Sequence, residues 1–261
     1  MARPAPPLLL AVCLALVGAS LALWMQSPLR SRSASGGVAS TPVPAGRAGE
    51  GVWRSRLLPE RVPRPSGHLI AYVRSAVPLR TRPFGRVVAR LSARTPFGSP
   101  QALAVVRSRR GRWLGVTTPG LGNAQLGWVD ARSGGLRFAR TRLALDVDLS
   151  QRVVVLRRGP RVLRRMTVGI GRPGSPTPTG RFGVTDKLAG AAYNAVYGCC
   201  ILALSATQAN LPAGWPGGNR IAIHGGSTGG AVSTGCIHAA ESDLRYLMRL
   251  VPLGTPVAIH A

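Results

Sequence analysis

The sequence predicts a mainly β chain: a small N-terminal barrel, then a second β-rich domain that carries one late helix. Three observations predict it. Short apolar runs recur from residue 67 onward, each closed by Gly or Pro, the pattern of strands and tight turns. Leu143, Leu145, Val147 and Leu149 alternate with other residues, the period of a strand with one buried face. A helical period appears late, at Leu244, Leu247, Met248 and Val251. Apolar residues make up 45% of the 261, enough for a buried core.

The elements follow in order. Arg3 precedes an apolar run over residues 8–23, with small residues at Ser20 and Ala22. Residues 1–24 therefore read as a signal peptide or an uncleaved membrane anchor, and the rest of the chain as extracytoplasmic, in the cell wall or secreted. Residues 25–66 are rich in Pro, Ser and Arg and read as extended linker. Apolar runs at 68–73, 87–91, 102–106, 113–116 and 126–129 build the barrel, residues 67–139. Trp113 and Trp128 read as core packing in preference to a ligand platform.

The second domain, residues 141–261, has expected strands at 143–149, 153–156, 162–170, 182–185, 201–204, 220–224 and 255–259. Ser242 is the expected N-cap of the late helix, with Glu241 and Asp243 placing negative charge at its start.

Net charge is +26, almost all of it arginine; Lys187 is the sole lysine. The arginines are spread over every segment. That pattern describes a solvated basic surface, with weak affinity for anionic wall polymers and no specific nucleic-acid site. Outside the export segment, which holds Cys13, the cysteines are Cys199, Cys200 and Cys236. An odd number in an oxidising compartment implies a free thiol. Cys199 and Cys200 sit in an apolar run and read as small buried hydrophobes, a vicinal disulfide being the lesser reading.

The stretch that carries chemistry runs from His224-Gly225 through a Gly-rich loop to Ser233-Thr234-Gly235-Cys236-Ile237-His238. Acyl transfer by a thiol needs a nucleophile, a base within reach and donors for the developing oxyanion. Cys236 is the candidate nucleophile. His224, at a strand end, is the candidate base or the imidazolium partner of a thiolate. The backbone N–H groups of Gly235 and Cys236 are the candidate oxyanion donors. Tyr193, Tyr197 and Trp215 lie in Gly/Pro-rich segments suited to shaping a cleft. No paired C-x-x-C or H-x-x-x-H spacing supports a metal site, and no cofactor is expected.

These residues resemble the catalytic domain of bacterial L,D-transpeptidases. The resemblance rests on His224-Gly225 and Ser233-Thr234-Gly235-Cys236-Ile237. It also takes in Val147-Asp148-Leu149-Ser150, Thr177-Pro178-Thr179-Gly180-Arg181-Phe182 and Pro252-Leu253-Gly254-Thr255-Pro256-Val257. Residues 100–106, 111–116 and 126–129 resemble a bacterial Src-homology-3-type module. The first resemblance implies a β-rich catalytic fold and the peptide stems of peptidoglycan as partners. It implies a thioester on Cys236, a second stem's amine as acceptor and a 3–3 cross-link as product. Carbapenems acylate such cysteines. Gly225, Ser233, Thr234, His238 and Tyr197 are the implied substrate-binding residues. Two positions depart from the family pattern. Thr234 stands where many members carry His, and His238 stands where Arg is usual. Water or a protein lysine as acceptor, or a non-catalytic wall-binding role, are the competing readings.

Overall fold

The computed structural model describes residues 66–261, all within one compact unit. The expected export segment, Cys13 and the linker up to residue 65 lie outside the described residues. Among the described residues, no helix is long and apolar enough to cross a membrane.

Seven strands form an antiparallel N-terminal sheet: β1 (His68–Val73), β2 (Val77–Arg80), β3 (Val87–Leu91), β4 (Ala102–Arg109), β5 (Trp113–Val116), β6 (Gly127–Asp130) and β7 (Leu136–Thr141). Their order is β3-β2-β6-β5-β4-β1-β7. Ala71, Val73, Leu79, Leu103, Leu114 and Val129 fill its core. Trp113 and Trp128 are 5% and 8% exposed, so both pack inward as the sequence suggested. Strands β2 and β7 escaped the pattern search. Pro78 interrupts the first, and β7 presents mostly exposed residues, Leu136-Arg-Phe-Ala-Arg-Thr.

The second sheet gathers β8 (Leu143–Asp148), β9 (Val153–Arg158), β10 (Arg161–Thr167), β12 (Gly180–Ala189), β13 (Cys200–Thr207), β14 (Arg220–Gly225), β16 (Ile237–Ala239) and β17 (Pro256–His260). The order is β10-β9-β8-β17-β12-β13-β14-β16. A small parallel pair joins β11 (Ile170–Gly171) to β15 (Ala231–Ser233). The inward faces of β8, β9, β12, β13 and β14 bury Leu145, Leu156, Phe182, Leu202 and Ile223 in one core. Helix α1 (Glu241–Leu250) lays Leu244 and Leu247 on that core. Its N-cap is Ala240, not Ser242, and no side chain caps it. The helix starts a residue or two ahead of the expected serine because the apolar stripe, not the cap, decides where it docks.

A polar seam joins the two sheets. The Asn123 side chain donates to Thr207 O (2.7 Å) and accepts from Thr207 N (2.8 Å), copying a strand partner at the end of β13. Ser205 Oγ donates to Thr117 Oγ1 at 3.0 Å, and Tyr72 OH to Leu253 O at 3.3 Å. At Gly254, with φ +80°, a side chain would collide with Ile70.

Candidate active site

The site is built on two neighbouring parallel strands. Strands β14 and β16 pair with Ile223 opposite Ile237 and His224 opposite His238. Side chains alternate across a strand, so Ile221, Ile223, Ile237 and Ala239 face the core. His224, Cys236 and His238 therefore share the opposite face. Cys236 precedes β16 and lies diagonally across from His224, a separation that side chains can close.

A cavity of about 280 Å³ opens over this face. Cys236, His224, His238, Ser233, Thr234 and Tyr197 all line it, as does Trp215. Tyr193 does not. It packs edge-on against Phe97 of the N-terminal sheet, ring centres 6.1 Å apart. Tyr197 stands edge-on to His224 at 4.9 Å.

His224 is buried, and its Nδ1–H donates to Gly225 O at 2.7 Å. That bond fixes the tautomer and leaves the Nε2 lone pair as acceptor. Burial pulls its pKa down to about 4; the Gly225 contact opposes this and the neighbouring His238 ring adds to it. The Cys236 thiol is pushed up by burial, with the Ala222 backbone pulling the other way. Its Sγ donates to Arg220 O at 3.9 Å. The sequence left open a base or an imidazolium–thiolate pair. In this state both groups are neutral, because neither charge is solvated in the cleft.

The nucleophile's turn is clamped from several sides. Ser233 Oγ donates to Cys236 O and accepts from Gly235 N. Thr177 Oγ1 donates to Gly235 O at 2.9 Å. Gln208 Nε2 donates to Pro176 O at 2.9 Å and to Thr234 O at 3.3 Å. Gly235 has φ +109°, and a side chain there would run into Gln208. Thr177 belongs to a stretch that carried the resemblance. Gln208 lay in no motif, and only the folded turn reveals its part.

Three expectations are corrected. The Gly235 N–H is not free for an oxyanion, because it is spent on Ser233 Oγ. Gly225 does not line the cleft. It is buried beneath Tyr197 and Gly198, whose backbones leave no room for a side chain. Cys199 and Cys200 are joined to each other in a disulfide, not two separate buried thiols. Cys200 opens β13 and Cys199 ends the turn before it, where consecutive side chains are turned toward each other instead of to opposite faces. Cys236 is the free cysteine among the described residues.

His238 stands at the position where the resemblance implied arginine. Its ring lies 4.8 Å from that of His224, tilted by 51°, and fits over the bare Gly226. Its Nδ1 is buried without a hydrogen bond of good geometry, and burial holds its pKa below the usual histidine value, with the Ser227 backbone pulling the other way. No cluster of His, Cys, Asp or Glu among the described residues has the geometry to hold a metal ion.

Comparison with known proteins gives the fold a family. The model of the L,D-transpeptidase catalytic domain (YkuD) matches residues 142–259. No curated protein matches the chain. Solved structures similar to it include an L,D-transpeptidase from Mycobacterium smegmatis, at 16% identity and TM-score 0.36, over 52% of this chain and 73% of that one. Another is an L,D-transpeptidase in complex with imipenem, at 18% identity and TM-score 0.39, over 61% of this chain and 90% of that one. A third is L,D-transpeptidase 3 from Mycobacterium tuberculosis in complex with a faropenem-derived adduct, at 16% identity and TM-score 0.37, over 52% of this chain and 73% of that one. The likeness to the L,D-transpeptidase catalytic domain (YkuD) is thus carried by residues 142–259.

Proposed function

We propose that the protein is a peptidoglycan L,D-transpeptidase that forms 3–3 cross-links through a thioester on Cys236. The observation that carries this reading is the placement of Cys236 and His224 on one face of paired strands, in one cleft. When a tetrapeptide stem enters, the S–H turns from Arg220 O to His224 Nε2, which takes the proton. The thiolate attacks the carbonyl of the third residue and a C–S bond forms. The Cys236 N–H faces the oxyanion, since Gly235 is committed elsewhere. The imidazolium then protonates the departing amine of the fourth residue as the C–N bond breaks. A side-chain amine of a second stem gives its proton to His224 and attacks the thioester. The C–S bond breaks, the released Cys236 thiolate takes the proton back from His224, and the cross-link is made.

The reading places the catalytic domain outside the cytoplasm, on the strength of Arg3 and the apolar run over residues 8–23. A C-terminal reporter active only outside the cytoplasm should work when fused after Ala261.

The central test is intact-protein mass spectrometry after incubation with imipenem or faropenem, the compounds seen in two of the similar structures. One adduct on Cys236 is expected, and none in Cys236→Ala. No adduct in the parent overturns the reading. Incubation with tetrapeptide stems identifies the acceptor: dimers mean transpeptidation, and tripeptide alone means hydrolysis.

A further inference from the structure

A second cavity, of about 420 Å³, lies where the loop between β3 and β4 meets β12 and β14. Arg90 and Arg94 line it from the N-terminal sheet and Arg220 from the catalytic one; no Asp or Glu is among its lining residues. Arg220 lines the thiol cleft as well. Its carbonyl accepts a hydrogen bond from the Cys236 thiol, while its guanidinium donates to Thr185 Oγ1 at 3.4 Å. Asp186, fully buried behind it, lies 3.8 Å from the guanidinium and accepts the Thr95 hydroxyl. The Phe97 ring sits 5.8 Å from the same guanidinium. Arg220 is thus held and neutralised by Asp186, whereas Arg94 is tied only to the neutral Gly98 O and Arg90 has no ion pair among the described residues. The cavity keeps an unbalanced positive charge.

His238 offers no such charge in the thiol cleft. Its ring leans on His224, tilted by 51°, and its Nδ1 is buried without a hydrogen bond of good geometry. We propose that the cavity between the two sheets binds a carboxylate of the peptide stem through Arg90 and Arg94, beside the Asp186-paired Arg220, supplying the anion recognition that His238 does not. The inference rests on the transpeptidase reading for the identity of the stem. Guanidinium groups suit a carboxylate because their N–H donors pair with its two oxygens. The loop between β3 and β4 then contributes to the substrate site itself.

The test measures binding in a Cys236→Ala chain, which cannot turn over. A synthetic tetrapeptide stem is titrated calorimetrically, once with free carboxylates and once with the same groups as carboxamides. Free acid should bind roughly tenfold or more tightly, the scale of one charge-assisted contact. Arg90→Gln/Arg94→Gln should remove that difference. Arg90→Gln alone breaks no ion pair and should remove part of it, which guards against a loosened loop in the double variant. Equal affinity for acid and amide, or a difference that survives both variants, overturns the proposal. So does arginine-dependent binding of polyglycerol phosphate where the stem shows none, which would assign the cavity to a phosphate polymer. Carbapenem acylation of the parent reports separately on the catalytic reading. An acylated parent without carboxylate dependence sinks the cavity alone; carboxylate dependence without acylation sinks the catalysis alone.

Discussion

In the proposed mechanism His224 takes and returns the proton, and its burial carries a cost in stability. Its folded pKa, about 4, lies below the value of about 6.5 of an unfolded histidine. The unfolded chain therefore binds the proton first, and stability falls as pH drops from about 6.5 toward 4. The full effect is on the order of 3 kcal/mol. His224→Asn should flatten that part of a stability–pH profile measured by chemical denaturation. The same low value keeps the base neutral throughout that range, so acylation should show no histidine-controlled loss until pH nears 4. His224→Ala should slow acylation roughly 10²- to 10⁴-fold, read by stopped-flow carbapenem binding. His238 is also held neutral near pH 7, by burial. Any titration of donor binding at this residue belongs below its ordinary range, not across it.

At the scale of elements, the turn before β16 matters more than the strand. Gln208→Ala should leave the fold intact yet lower the acylation rate by about 10²-fold, since a small misplacement of a nucleophile costs that much. Circular dichroism and mass spectrometry read the two sides. Helix α1 lacks a side-chain cap, and Ala240→Ser should add about 1 kcal/mol, seen as a higher melting temperature. Most strands were readable in the sequence because alternation exposes their period, as in β8 and β14. Strands β15 and β16 were not, because three residues are too few to show a period. That Cys236 and His224 would meet in one cleft was readable from the spacing of His, Gly and Cys. Gln208 and Arg220 were not, since their parts depend on strands and turns distant in sequence that meet only on folding. The vicinal pair misled because an apolar neighbourhood describes a buried thiol and a buried disulfide equally well.

For the whole molecule, the seam between the sheets makes them one unit. A fragment of residues 142–261 exposes Gly254, Thr207 and Ser205 without their partners Ile70, Asn123 and Thr117. It should melt well below the full chain, or fail to fold, whereas the full chain should unfold in one calorimetric transition. The disulfide has a practical corollary for anyone handling the protein. Because Cys199 and Cys200 consume each other, a thiol-directed dye meets a single target among the described residues. With Cys13→Ser in place, the dye-to-protein ratio would count free Cys236 thiols directly, so every preparation carries its own measure of the fraction left unoxidised.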